Sequence, residues 1–161
     1  MSATEAAASE RVPESLETQV RHIIEEARMV LPGIQALFGF QLIAVYNNRF
    51  ASALSESAQR WHLASLLLVA LSIALIMAPA AYHRQAERNF ITAYFATYAS
   101  HLVTVAMIPL LLAICMDVAI VSMLITSSFS LSLVLALMLA VFFAWFWFIL
   151  PWHHHRRIRQ T

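Results

Sequence analysis

Asp117 is the chain's only aspartate and the only acid within its apolar stretches, so it is the first residue to ask for chemistry. A carboxylate in a bilayer costs about 2.5–3.5 kcal/mol at the centre on insertion scales, and one kept there pairs with a partner or handles an ion. Counted from His101 it lies about 24 Å along a helix rising about 1.5 Å per residue, near the outer boundary of a span. At that depth an ion pair with Arg49 or Arg60 is expected, with a proton or cation site as the alternative.

The histidines come next. His83 ends one apolar stretch, His101 begins the next, and His153, His154 and His155 follow the last. Imidazoles on facing helices can ligate haem or a metal, and helix bundles host such sites. A histidine at the end of a span more commonly marks the membrane boundary. No cofactor is therefore expected, and haem or metal on His83 and His101 is the minor reading. A single cysteine, Cys115, supports neither a disulfide nor a thiolate metal site. Two glycines in all leave no phosphate-cradling loop and no GxSxG elbow. There is no HExxH, and no serine, histidine and acid lie at compatible depth, so no enzymatic activity is expected.

These side chains must be positioned by membrane helices. The 161 residues are 61% hydrophobic and 12% charged, too apolar for a soluble domain of this size. All ten basic residues are arginine, and a net charge of +1 gives no field for nucleic acid. A bilayer core of about 30 Å needs roughly 20 apolar residues, and four segments qualify: about 30–50, 61–82, 98–123 and 129–150. The fold class is all-α, a polytopic four-helix membrane bundle preceded by an amphipathic interfacial helix at 14–29, where Leu16, Val20, Ile23, Ala27 and Val30 share a face. Residues 1–13 have no apolar core of a cleaved signal and are expected to be disordered. Residues 151–161 form a basic, histidine-rich tail. A short uncharged hairpin is expected near 124–128.

Within the first span, Arg28, Pro32, Gln35, Gly39, Leu42, Tyr46 and Arg49 are spaced alternately by four and three, the pattern of a seam facing a partner helix. Association in lipid relies on close backbone approach and interhelical hydrogen bonds, which Gly39 and Gln35 would supply. That phase turns Leu31, Ile34, Phe38 and Val45 toward lipid and leaves Gln41 off the seam, with contact to another helix of the bundle as its one expected use. In the second span Ser65, Ser72 and Pro79, seven apart, predict another contact stripe. Phe90, Tyr94, Phe95 and Tyr98 read as interfacial packing.

Eight arginines fall on one side of this layout and two, Arg49 and Arg60, on the other, which puts both termini in the cytoplasm. Arg156, Arg157 and Arg159 then sit beside anionic inner-leaflet lipids, each contributing about 1 kcal/mol of attraction.

The stretches "PGIQALFGF", "NNRF" and "APAAYHR" resemble an uncharacterised bacterial family of small four-helix membrane proteins, catalogued as a domain of unknown function. The likeness covers roughly residues 17–140 and is carried by Gly33, Gln35, Phe38, Arg49, Phe50, Pro79, His83 and Arg84, with Asp117 a further match. It implies a bacterial inner membrane and the same four-span layout, and no established activity. His101 and the terminal "HHHRRIRQT" lie outside the resemblance. Three functional classes follow. The first is an oligomeric ion, proton or small-solute transport or channel protein, with a candidate polar seam or ion path through Arg28, Gln35, Gly39, Arg49 and Asp117. The second is a non-catalytic accessory subunit of a membrane complex, and the third a haem-binding redox module. The expected partners are the lipid bilayer and a second copy or another membrane protein.

Overall fold

The computed structural model of the protein describes residues 15–86 and 92–153. The expected disorder at 1–13, the side chain of Phe90, and the tail residues His154, His155, Arg156, Arg157 and Arg159 lie outside them. Four helices are long and apolar enough to cross a membrane. In chain order the elements are α1 Leu16–Val45, a short α2 Phe50–Ala53, α3 Glu56–Ala86, α4 Ala93–Thr126 and α5 Phe129–Ala144. A π-helical turn at Trp145–Ile149 carries α5 on to His153. The protein is a multi-pass membrane helix bundle.

Local chemistry fixes the ends of these helices. Ser15, Thr92 and Ser128 cap α1, α4 and α5, each side chain accepting from a backbone N–H three residues on, which satisfies a donor the helix leaves free. Ser127 stops α4 in the left-handed region at φ 52°, with its N–H donating to the Met123 carbonyl. The tight, uncharged hairpin expected near 124–128 is present.

α3 and α4 form the centre. Ser65 Oγ lies 3.2 Å from the Ala113 carbonyl, and Ser72 Oγ donates to the Ala106 carbonyl at 2.8 Å. Both pairs fit one antiparallel register, which sets buried Pro79 opposite Ala99, 1% exposed. Small residues thus recur every seventh position on both helices and let the backbones approach, the mode by which helices associate in lipid. The serine stripe expected in the second span is this contact.

α1 carries the amphipathic stretch straight into the first span: Leu16–Val45 is one helix with Pro32 inside it. Its first turns dock on the start of α4, with Val20 buried against Phe95, Ala96 and Ala99, because that end of the bundle offers an apolar surface that the membrane surface would only half cover. The inward seam differs from expectation, shifted by one residue. Val20, Ile24, Ala27, Leu31, Ile34, Phe38 and Gln41 face the bundle, again alternating four and three, while Arg28, Pro32, Gln35 and Leu42 are exposed and Gly39 is half-buried. One residue is about 100° of helix rotation, so Ile34 and Phe38, expected in lipid, pack inside. A Cβ built on Gly39 would meet nothing within 4 Å, so no close approach within the bundle requires that glycine.

At the end where α1 begins, Tyr82 stacks on Phe95 with ring centroids 5.9 Å apart, and Tyr94 stacks on Tyr98 at 6.2 Å. Phe95 is buried and Tyr94 exposed, so the aromatics expected on one face divide between core and surface. α5 packs chiefly on α4 through Ser132 and Ala136 and keeps most of its apolar side chains on the outside.

Candidate functional site

Three helices bring their polar side chains to one point. Gln41 comes from the last turns of α1, His62 and Ser65 from the first turns of α3, and Asp117 from the last third of α4. Gln41, His62 and Ser65 are 4%, 8% and 0% exposed. From the adjacent helix ends, Gln41 lies about 6 Å deep, His62 about 9 Å and Asp117 about 14 Å at about 1.5 Å per residue. The cluster is therefore below one membrane boundary, at the end of the bundle carrying residues 46–55 and the α4–α5 turn.

The hydrogen bonds form a closed set. Gln41 Nε2 donates to Asp117 Oδ2 at 2.6 Å and to Ser65 Oγ at 2.7 Å, and Ser65 Oγ donates to Asp117 Oδ1 at 2.7 Å. His62 Nε2 lies 3.0 Å from the backbone carbonyl of Gln41. A carbonyl only accepts, so Nε2 carries a proton, and Nδ1 faces Asp117 Oδ1, 3.8 Å away. A proton on Nδ1 turns this contact into an ion pair. Gln41 Oε1 is buried with no hydrogen-bond partner, leaving one acceptor of the amide unsatisfied beside the carboxylate.

The surroundings differ above and below. Toward the loop end, a cavity of 440 Å³ reaches His62, with Phe50, Glu56 and Arg60 on its walls; the Phe50 ring stands edge-on to the imidazole at 5.3 Å. Toward the middle of the bundle, Ile34, Val69, Ile76, Ala106 and Leu110 close the core. The site is thus open to one side and sealed by apolar side chains on the other.

This arrangement corrects the expected partners of Asp117. It meets neither Arg49 nor Arg60: Arg60 pairs with Glu56 on its own helix at 3.6 Å, both largely exposed, and Arg49 is exposed at the start of α2. A guanidinium at the water boundary gains nothing by leaving water, whereas Asp117 finds neutral donors already buried beside it. Of the expected polar seam, Asp117 alone joins the cluster, half-buried with its side chain 20% exposed; Arg28, Gln35 and Arg49 are exposed. Gln41 and His62 supply what was expected of other residues, and Ser65, His62 and Asp117 overturn the expectation that no serine, histidine and acid share a depth, because separate helices bring them together. His83 is half-buried with its ring 5.3 Å from Phe95, and His101 is exposed. Among the described residues no group of three or more histidine, cysteine or acidic side chains gathers as metal ligands.

Residues 9–151 match the model of a family of unknown function, DUF6328. The chain belongs to this family. No curated protein and no solved structure matches this DUF6328 chain. The match extends the likeness read from residues 17–140 to include the start of α1 and the whole of α5, and all four residues of the cluster lie inside it. Membership in DUF6328 carries no activity with it, so function has to be argued from the cluster.

Proposed function

We propose that the protein is an oligomeric ion-transport protein of the bacterial cytoplasmic membrane, with both termini in the cytoplasm and Asp117 as the residue that takes up the cation. The observation that carries this is the junction of Gln41, His62, Ser65 and Asp117 across three spans. Ionisable residues inside membrane helices are expensive and mark ion and substrate paths. A purely structural bridge between α3 and α4 is already supplied by Ser72, so a carboxylate beside an imidazole at the same contact points to charge handling. The orientation draws on the arginine distribution, with Arg49 and Arg60 at the cluster's end of the bundle, which faces the periplasm in this reading.

The apolar core beneath Asp117 closes any straight path through one protomer, which favours movement between two arrangements or a route completed by a second copy. The outer face of α1 supports a second copy. Gln35 is exposed about 15 Å from the end of α1, near the middle of a bilayer about 30 Å thick. An amide both donates and accepts, so two copies related by a twofold axis satisfy each other's Gln35. Gln35→Leu is expected to weaken self-association in detergent or bilayer by about 1–2 kcal/mol, roughly 5- to 30-fold in dissociation constant. Sedimentation or single-molecule photobleaching reads it, and an unchanged oligomer would remove α1 from the interface.

Purified protein in liposomes, challenged with an imposed proton or sodium gradient and read by an internal pH or sodium indicator, tests the transport reading. Flux above that of empty liposomes, lost in Asp117→Asn, is the expected result. Equal flux in the two sets of liposomes favours the other reading, an accessory subunit whose outward α5 face meets a partner; that reading expects co-purification with another membrane protein at fixed stoichiometry. The haem reading finds less support, since His101 is exposed.

A further inference from the structure

We infer that the ligand of this site is a proton, entering from the cavity above His62, and that the Gln41 amide is the two-position element that registers its arrival. The inference names the cation of the proposed transport site, and it stands as a binding site even where transport fails.

The donor set argues against a metal ion. Both oxygens of Asp117 already accept from neutral donors, Gln41 Nε2 and Ser65 Oγ–H, so positive hydrogens line the carboxylate where a sodium ion would need oxygen lone pairs. A proton needs one lone pair and one carrier. His62 is that carrier: it is the imidazole on the cavity wall, and its Nδ1 is 3.8 Å from Asp117 Oδ1. In the step proposed, a hydronium ion in the cavity gives a proton to Nδ1 and is left as water. The Nδ1–H bond then breaks as the Oδ1–H bond forms, leaving imidazole neutral with its proton on Nε2 and the carboxylate converted to the acid. No other reactant is required.

The second observation is Gln41 Oε1, an acceptor without a partner on a side chain 4% exposed. While Asp117 is ionised the amide cannot turn, because Oε1 would then face a carboxylate that only accepts. Once Asp117 is protonated, a half-turn of its carboxyl brings the O–H to the side facing Gln41, where it can donate to Oε1 after a half-turn of the amide; the unsatisfied oxygen gains a partner while Nε2 gives up the two acceptors it had. Protonation on α4 is thereby converted into a change of hydrogen bonding on α1. The other ionisable groups at this end are Glu56 and Arg60 on α3 around the cavity, Arg49 at the start of α2 and Tyr46 at the end of α1, the last three exposed along with Glu56. On α4, Cys115 lines a separate apolar groove facing α5.

Because Asp117 is the only aspartate in the chain, the full-length protein labelled with carboxyl-13C aspartate in lipid nanodiscs gives a single side-chain signal without any substitution. Lowering the pH is expected to move that signal from carboxylate to acid in one step and to shift the Gln41 side-chain amide with the same midpoint, while sodium at constant pH leaves both unmoved. His62→Gln is expected to keep the end points and slow proton exchange at Asp117 roughly 100-fold, the loss of a positioned proton carrier. A signal that stays ionised throughout, that responds to sodium, or that titrates while the Gln41 amide stays still overturns the inference. Titration in protein that shows no flux in liposomes supports the site and ends the transport reading alone.

Discussion

Asp117→Asn is expected to abolish the proposed cation flux in proteoliposomes while the protein stays folded, and Asp117→Leu is expected also to destabilise it. Asparagine keeps one oxygen to accept from Ser65, and once the Gln41 amide makes a half-turn the asparagine N–H donates to Oε1 in place of the lost Nε2–Oδ2 bond, so a hydrogen bond between α1 and α4 remains and the loss of stability is expected at about 1 kcal/mol. It can neither ionise nor accept a proton near neutrality, and the loss of a positioned proton acceptor removes a factor of about 100 or more in rate. Leucine removes the acceptor of one Gln41 N–H, which is then buried without a partner; Ser65 retains the Ala113 carbonyl and His62 retains the Gln41 carbonyl. Stranding one buried donor costs about 1–3 kcal/mol. Unfolding in mixed micelles separates the two variants, and flux in the asparagine variant equal to wild type would show that Asp117 does not carry the ion.

Phe95→Ala has the largest expected effect on stability, about 3–5 kcal/mol. The ring is 1% exposed, stacks on Tyr82, touches His83 and closes over Val20. It lies in the first turn of α4, at the end of the bundle where the chain leaves the hydrocarbon and burial regains its ordinary hydrophobic driving force. Removing it opens the pocket into which the start of α1 docks. Limited proteolysis is expected to cut first within residues 16–24. Tyr94→Ala, one residue earlier on an exposed side chain, serves as the control and is expected to change stability by less than about 0.5 kcal/mol. Equal protection in both variants would mean that the first turns of α1 are held by something other than Phe95.

The four spans were legible because their signal, length and apolar content, depends on the bilayer and hardly on tertiary detail. The Ser65, Ser72 and Pro79 stripe was legible for a related reason: small and hydroxylic residues at heptad spacing in an otherwise leucine-rich helix have few uses besides helix contact. For α1 the period was readable and the phase was not. Two stripes one residue apart both alternate four and three. Gly39 and Gln35 drew the reading toward the one that faces outward, whereas the inward stripe ends on Gln41. What decides between them is the position of Asp117 and Ser65 on other helices, which no local pattern contains. His62 was hidden for the same reason. It follows Trp61, which is 62% exposed, and looks like part of an interfacial pair until the fold turns it inward to 8%. The expected Asp117–arginine bridge weighed charge against charge and missed that the buried neutral donors were nearer.

A double-mutant cycle between Gln41 and Asp117, each replaced by leucine, is the most direct measurement of the buried junction on which the account rests. The coupling is expected at about 0.6–1.7 kcal/mol, the range for a hydrogen bond between membrane helices, with none in the parallel cycle between Arg60 and Asp117. Additive effects for Gln41 and Asp117, or a coupling that appears with Arg60 instead, would place the carboxylate at the water boundary and contradict the account.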